Sequence, residues 1–174
     1  MANPLEVYFD YSCPYCYRAH EYLKELLPNY PQLEIAWRPC EAHPRPDPYG
    51  LHSDLCIQGL FFILENGICP WTYHDLIYQA IYQDHIDIED LDILAEYVCK
   101  LLGADNFKKD LQSGKYISQI AEANWYAWEK LNLSAVPSYR MGDRKLDSVE
   151  NIGVTKKQIK QMICEGLITN NEIY

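Results

Sequence analysis

Apolar and polar residues alternate with period two over Leu5-Glu6-Val7-Tyr8-Phe9-Asp10, the pattern of a strand. From Tyr17 to Leu27 the apolar positions recur at three and four, which predicts a helix. Pro28-Asn29-Tyr30-Pro31 breaks that helix, and Leu33 to Arg38 alternates again as a second strand. Strand, helix and strand within about 35 residues make a βαβ unit, so the two strands run parallel with a right-handed crossover. The stretch from Pro39 to Gly50 is proline-rich and predicts an irregular connector.

From about Leu51 to Leu131 strand patterns are absent. Leu55, Gly59, Phe62 and Ile63 mark a helix ending at Asn66-Gly67, and Pro70 opens a second with Leu76, Ile77, Ala80 and Ile81 on one face. A third runs through Leu91, Leu94, Ala95, Val98, Leu101 and Leu102, with Asp87 as its expected N-cap, Asp90 at N3 and Gly103 past its end. A short fourth covers Asp105 to Ser113, and a fifth Tyr116 to Leu131. Strand character returns at Ala135 to Met141; Gly142-Asp143 reads as a tight turn and Arg144 to Asp147 as the returning strand. Thr155 and Gln158 have the spacing of a capping box opening a last helix through Ile159, Met162 and Ile163. The expected fold class is α/β: residues 1–50 and 132–174 form a βαβ…ββα domain, and residues 51–131 an inserted all-helical domain.

Cys13-Pro14-Tyr15-Cys16 stands where the first strand pattern becomes a helix pattern. Pro14 then falls in the first turn, where its missing N–H costs nothing. Cys13 is left at the helix N-terminus, whose free N–H groups and positive dipole end favour a thiolate. Cys16 is close enough to close a disulfide on that first sulfur.

The formal charge of −10, without a dense Lys/Arg cluster, argues against nucleic acid and anionic membrane as partners. The longest apolar run, about Leu60 to Leu64, is far short of a membrane span. Met1-Ala2-Asn3-Pro4 has neither a basic nor an apolar leader region, so no signal peptide is expected. Seven cysteines scattered through helix patterns do not form a secreted disulfide framework. Reduced thiols plus one redox pair fit them better, and the expected location is the cytoplasm.

These pieces resemble the DsbA-like branch of the thioredoxin superfamily, a thioredoxin-like fold with a helical domain inserted between its two halves. Three stretches carry the resemblance: Tyr8 to Tyr17 with its Cys-Pro-Tyr-Cys, Val136-Pro137-Ser138 entering the third strand, and Trp37-Arg38-Pro39 with Glu41, similar to FrnE-like and chromene-carboxylate-isomerase relatives. The resemblance implies a thiol–disulfide oxidoreductase in which Cys13 attacks, Cys16 resolves, and Pro14 and Tyr15 tune the pair. It further implies that Val136 and a cis Pro137 lie beside the sulfurs and hold an extended substrate. The implied partners are protein or small-molecule thiols and disulfides, with glutathione as a possible co-substrate; no metal or other cofactor is expected. One departure stands out. The family's frequent buried carboxylate, six residues before the first cysteine, is here Val7. Asp10, three residues on, is expected to point to the opposite face.

Two other functions compete. A glutathione-dependent isomerase or transferase is disfavoured by the intact Cys16, because such relatives typically lack the second thiol. A zinc-holding or peptide-binding module would draw on Cys13, Cys16, Cys40 and His43, but structural zinc pairs usually sit on tight loops. Cys56, Cys99 and Cys164 read as core thiols, and Cys69, before Pro70, as a second thiol at a helix start. Trp71, Tyr73, Trp125 and Trp128 either build the core of the helical block or line a groove over the active site.

Overall fold

A computed structural model describes residues 3–171. Its four strands form one mixed sheet in the order β2-β1-β3-β4: β1 (Leu5–Phe9), β2 (Ile35–Pro39), β3 (Ser138–Met141) and β4 (Arg144–Leu146). β1 pairs parallel with β2, Val7 opposite Trp37, and antiparallel with β3, Val7 opposite Tyr139. β3 pairs antiparallel with β4 through a turn at Gly142, whose φ of +58° suits glycine. The alternation read in β1 is only partial: Leu5, Val7, Tyr8 and Phe9 are all buried, because β1 is an interior strand.

Helix α1 (Pro14–Leu26) is the βαβ crossover, and Lys24 in its last turn suits the dipole. Helix α7 packs on β3 and β4 and against α1, in the span Lys156–Asn171. Thr155 Oγ1 accepts from the Gln158 N–H at 3.2 Å while Gln158 Oε1 accepts from the Thr155 N–H at 2.8 Å, the reciprocal bonds of a capping box. The sheet, α1 and α7 belong to one compact unit, built from the residues up to Ala42 and from Trp125 onward.

The second unit, His43–Asn124, is helical: α2 (Asp54–Glu65), α3 (Pro70–Tyr82), α4 (Leu91–Leu102), α5 (Phe107–Gln112) and α6 (Ile117–Asn124). Among the described residues no strand lies between β2 and β3. Two expectations need correction here. The N-cap of α4 is Asp90, whose carboxylate accepts from the N–H groups of Asp92 and Ile93 at 2.8 and 3.1 Å. Asp87 closes a preceding turn by accepting from the Glu89 N–H instead. The fifth helix is also not continuous: α6 ends at Asn124 and Trp125–Lys130 is wound as a π-helix.

Tyr73 is fully buried and donates to the Cys56 carbonyl at 2.8 Å, so it is a core residue of the helical unit and lines no groove. Phe62 and Phe107 meet edge to face at 5.5 Å. Gly59 lies against Tyr73 and Phe107: a methyl there would run into the Tyr73 hydroxyl and come within 2.8 Å of the Phe107 ring. Gly59→Ala is therefore expected to destabilise the protein by about 1–3 kcal/mol, despite alanine's better helix propensity. Denaturant unfolding checks it; an unchanged or raised midpoint would contradict this packing.

Candidate redox site

Cys13 is the N-cap of α1, with φ −89° and ψ 116°, and Pro14 occupies the first turn. Its N–H donates to the Asp10 carbonyl, and its own carbonyl accepts the first helical N–H groups, from Cys16 and Tyr17 at 3.0 and 3.1 Å. Both cysteines are free thiols, Cys13 partly exposed and Cys16 buried. Hydrogen bonding by the Cys16 side chain, followed by the N–H groups of Cys16 and Tyr15, holds the Cys13 thiol below the usual thiol range against the opposing effect of burial. Cys16 moves the other way. Burial pushes its thiol well up, and the adjoining Cys13 sulfur adds to this. The two sulfurs are thus treated in opposite ways: the partly exposed Cys13 is acidified, and the buried Cys16 is shifted the other way.

The loop leading into β3 approaches from the opposite end of the sequence. The Cys13 Sγ lies 3.5 Å from the Val136 carbonyl oxygen, and the Val136–Pro137 bond is cis. Ser138 Oγ fixes this loop by donating to the Ala135 carbonyl at 2.8 Å and accepting from the Ser148 N–H at 3.2 Å. Tyr15 points away from the sulfurs: its hydroxyl donates to the Asn151 carbonyl at 2.8 Å, and the Arg18 guanidinium lies over its ring while donating to the Ile152 carbonyl. Gly153 is needed where this loop crosses Tyr15. Its φ is +77°, and an added Cβ would meet Arg18 Nη2 at 2.9 Å and the Tyr15 ring edge at 3.1 Å.

Asp10 follows the last residue of β1 and is fully buried beside the cysteines. Its carboxylate accepts from the Ser12 N–H and Oγ, both at 2.9 Å, and from the Ala42 N–H at 2.6 Å. Its own N–H points at the Cys16 Sγ, 3.5 Å away. The Asp10 charge raises the thiol pKa of Cys13, Cys16 and Cys40 alike. Asp-x-Ser ahead of a helix start was the available signal, because an Asp side chain readily closes such a turn on the N–H two residues on.

Of the remaining cysteines, Cys40 is buried and Cys69 is the exposed N-cap of α3, its thiol acidified chiefly by the Thr72 N–H. Cys99 donates to the Ala104 carbonyl, and Cys164 meets the Tyr30 hydroxyl at 3.1 Å. Within its own unit His43 pairs with Asp47 at 3.1 Å. Trp125 is exposed, and Trp128 Nε1 donates to the Glu41 carbonyl at 2.8 Å.

Asp10→Asn separates the two roles of this carboxylate. Losing the negative charge is expected to make Cys13 more acidic, moving the pH profile of its alkylation toward lower pH. The amide also turns a donor toward the Ser12 Oγ or Ala42 N–H, which costs about 1–3 kcal/mol of stability. Alkylation rates against pH and denaturant unfolding check both; an alkaline displacement of the profile would contradict the electrostatic role.

Residues 4–56, which hold β1, α1, β2 and both cysteines, match the family model of the DSBA-like thioredoxin domain. The Bacillus subtilis protein YwbO is 24% identical over 196 residues, covering 91% of this chain and 96% of that protein. A Nitrosomonas europaea structure solved as a candidate protein disulfide isomerase has a TM-score of 0.77 at 14% identity, covering 97% of this chain and 99% of its own. A probable DsbA oxidoreductase of Streptomyces coelicolor also has a TM-score of 0.77 at 14% identity, covering 95% of this chain and 90% of its own. Two structures this distant in sequence speak to the fold, and they share it over nearly the whole chain. Residues 4–56 thus match a DSBA-like thioredoxin domain, and the chain shares the fold of these two structures over nearly its whole length.

Proposed function

We propose that the protein is a thiol–disulfide oxidoreductase in which Cys13 attacks and Cys16 resolves. The observation that carries this reading is the opposite placement of the two sulfurs, one partly exposed at a helix N-cap beside the Val136 carbonyl and the other buried behind it in the first turn, with the first acidified and the second shifted the other way. The thiolate is the nucleophile in disulfide exchange, so the acidified, partly exposed Cys13 starts the reaction. Its sulfur attacks one sulfur of a substrate disulfide, and the other leaves as a thiolate. Cys16 then attacks Cys13 in the mixed disulfide, forming the intramolecular disulfide and releasing the substrate's remaining thiolate. A dithiol donor such as a protein, or two molecules of glutathione, returns the pair to its reduced form; the same steps run backward oxidise a substrate.

Val136 belongs to this reading as the backbone against which an extended substrate segment lies, its carbonyl being 3.5 Å from the attacking sulfur. Pro137 shapes that loop, and Pro14 and Tyr15 set the backbone of the first turn, whose N–H groups acidify Cys13. The chemistry needs no cofactor beyond the two sulfurs and the exchanging thiol. A reducing compartment such as the cytoplasm suits the five other cysteines, all of which are free thiols.

Cys13→Ser and Cys16→Ser test the division of labour. Cys13→Ser is expected to abolish attack. Cys16→Ser is expected to attack and then stall as a mixed disulfide with glutathione or a protein, seen by non-reducing mass analysis. Adducts on Cys13→Ser alone would reverse the roles. Full disulfide reductase activity in both variants would refute the reading.

A further inference from the structure

Resolution requires Cys16 to become a thiolate, yet it is buried, and the Asp10 charge opposes its ionisation. Val7, on the strand leading to the cysteines, offers it no polar group. Directly opposite Val7 on β3 stands Tyr139, and residues paired across strands project to the same face of a sheet. Met141 is two residues further along β3 and so shares that face. It lies against Gly166 of α7, the helix that packs beside α1. Tyr139 therefore lies under the layer of helices that includes Cys16.

Tyr139 is fully buried, and its hydroxyl has no hydrogen-bond partner among the described residues. Buried hydroxyls are normally paired, so an orphan on the sheet face covered by the helices of Cys16 and Gly166 calls for an explanation. Burial pushes the phenol well above the usual tyrosine range, and the Cys16 charge pushes it in the same direction. The phenol thus keeps its proton and stays a donor, and it cannot act as the base for Cys16.

We propose, building on the redox reading above, that the Tyr139 hydroxyl is the donor held in reserve for the Cys16 sulfur, hydrogen-bonding to it as it becomes a thiolate. In the resolving step the Cys16 thiol gives its proton to water, while Tyr139 keeps its own and turns it toward the sulfur. The thiolate attacks Cys13; the Cys13–Cys16 bond forms, and the bond from Cys13 to the substrate sulfur breaks. The substrate leaves as a thiolate, which takes up a proton from water. Burial and the Asp10 charge at the β1–α1 junction raise the Cys16 pKa, and Tyr139 from β3 offsets them once the charge forms.

Tyr139→Phe removes only the hydroxyl. The reduced full chain, wild type and variant, is mixed with oxidised glutathione, acid-quenched at intervals and analysed by mass across a pH series. Formation of the glutathione adduct on Cys13 is expected to be unchanged. Its conversion to the Cys13–Cys16 disulfide is expected to slow roughly tenfold near neutral pH, the scale of a hydrogen bond to a charged group, with its pH profile displaced to alkaline. An unchanged second step, or equal slowing of both steps with no displacement, overturns the proposal while leaving the redox reading in place. A wild-type protein that forms no adduct or never resolves it overturns both.

Discussion

The Asp10 carboxylate is the tie on which the candidate site depends. It is fully buried past the end of β1 and accepts three hydrogen bonds, two from Ser12 and one from Ala42. Ser12 immediately precedes Cys13, and Ala42 lies three residues beyond β2. One side chain thus joins the ends of the two parallel strands to the start of α1, which fixes the direction in which the helix presents its first turn. Burying a carboxylate is costly unless its oxygens are met by donors, and here they are.

That arrangement has an electrostatic consequence. The same negative charge that fastens the turn also opposes thiolate formation at Cys13, Cys16 and Cys40. At Cys13 the N–H groups of the helix start and the neighbouring Cys16 side chain outweigh it. At Cys16 and Cys40, both buried, nothing of comparable strength does. The contrast between Cys13 and its neighbours comes instead from burial and from the hydrogen bonds that Cys13 receives. The Cys16 side chain supplies the larger favourable effect at Cys13, and the helix N-terminus adds a fixed array of donors that need not reorganise when charge appears.

Much of this was legible along the chain. Period-two runs located β1 and β2 to within about two residues, and Pro14 after Cys13 fixed the start of α1, because both signals are local. The Thr155–Gln158 capping box is equally local and is present. The cap of α4 was not separable by pattern: Asp87 and Asp90 are both competent caps, and Asp90 took the helix while Asp87 closed a turn. Nothing in the apolar spacing of 116–131 marks the change to a π-helix at Trp125. The bonds of Asp10 to Ser12 and Ala42 are set by the turn after β1 and by tertiary packing, which strand alternation does not encode. Tyr139 reads as an ordinary strand residue, since the isolation of its hydroxyl arises only from tertiary packing.

The most direct measurement of the central claim is equilibration of the full chain in glutathione redox buffers, followed by acid quench and mapping of every disulfide. The expected result is one transition with two-electron dependence on the buffer ratio, between a dithiol and a single disulfide linking Cys13 to Cys16. Oxidation that links other cysteines, or that leaves Cys13 and Cys16 unjoined across the whole range, would contradict it.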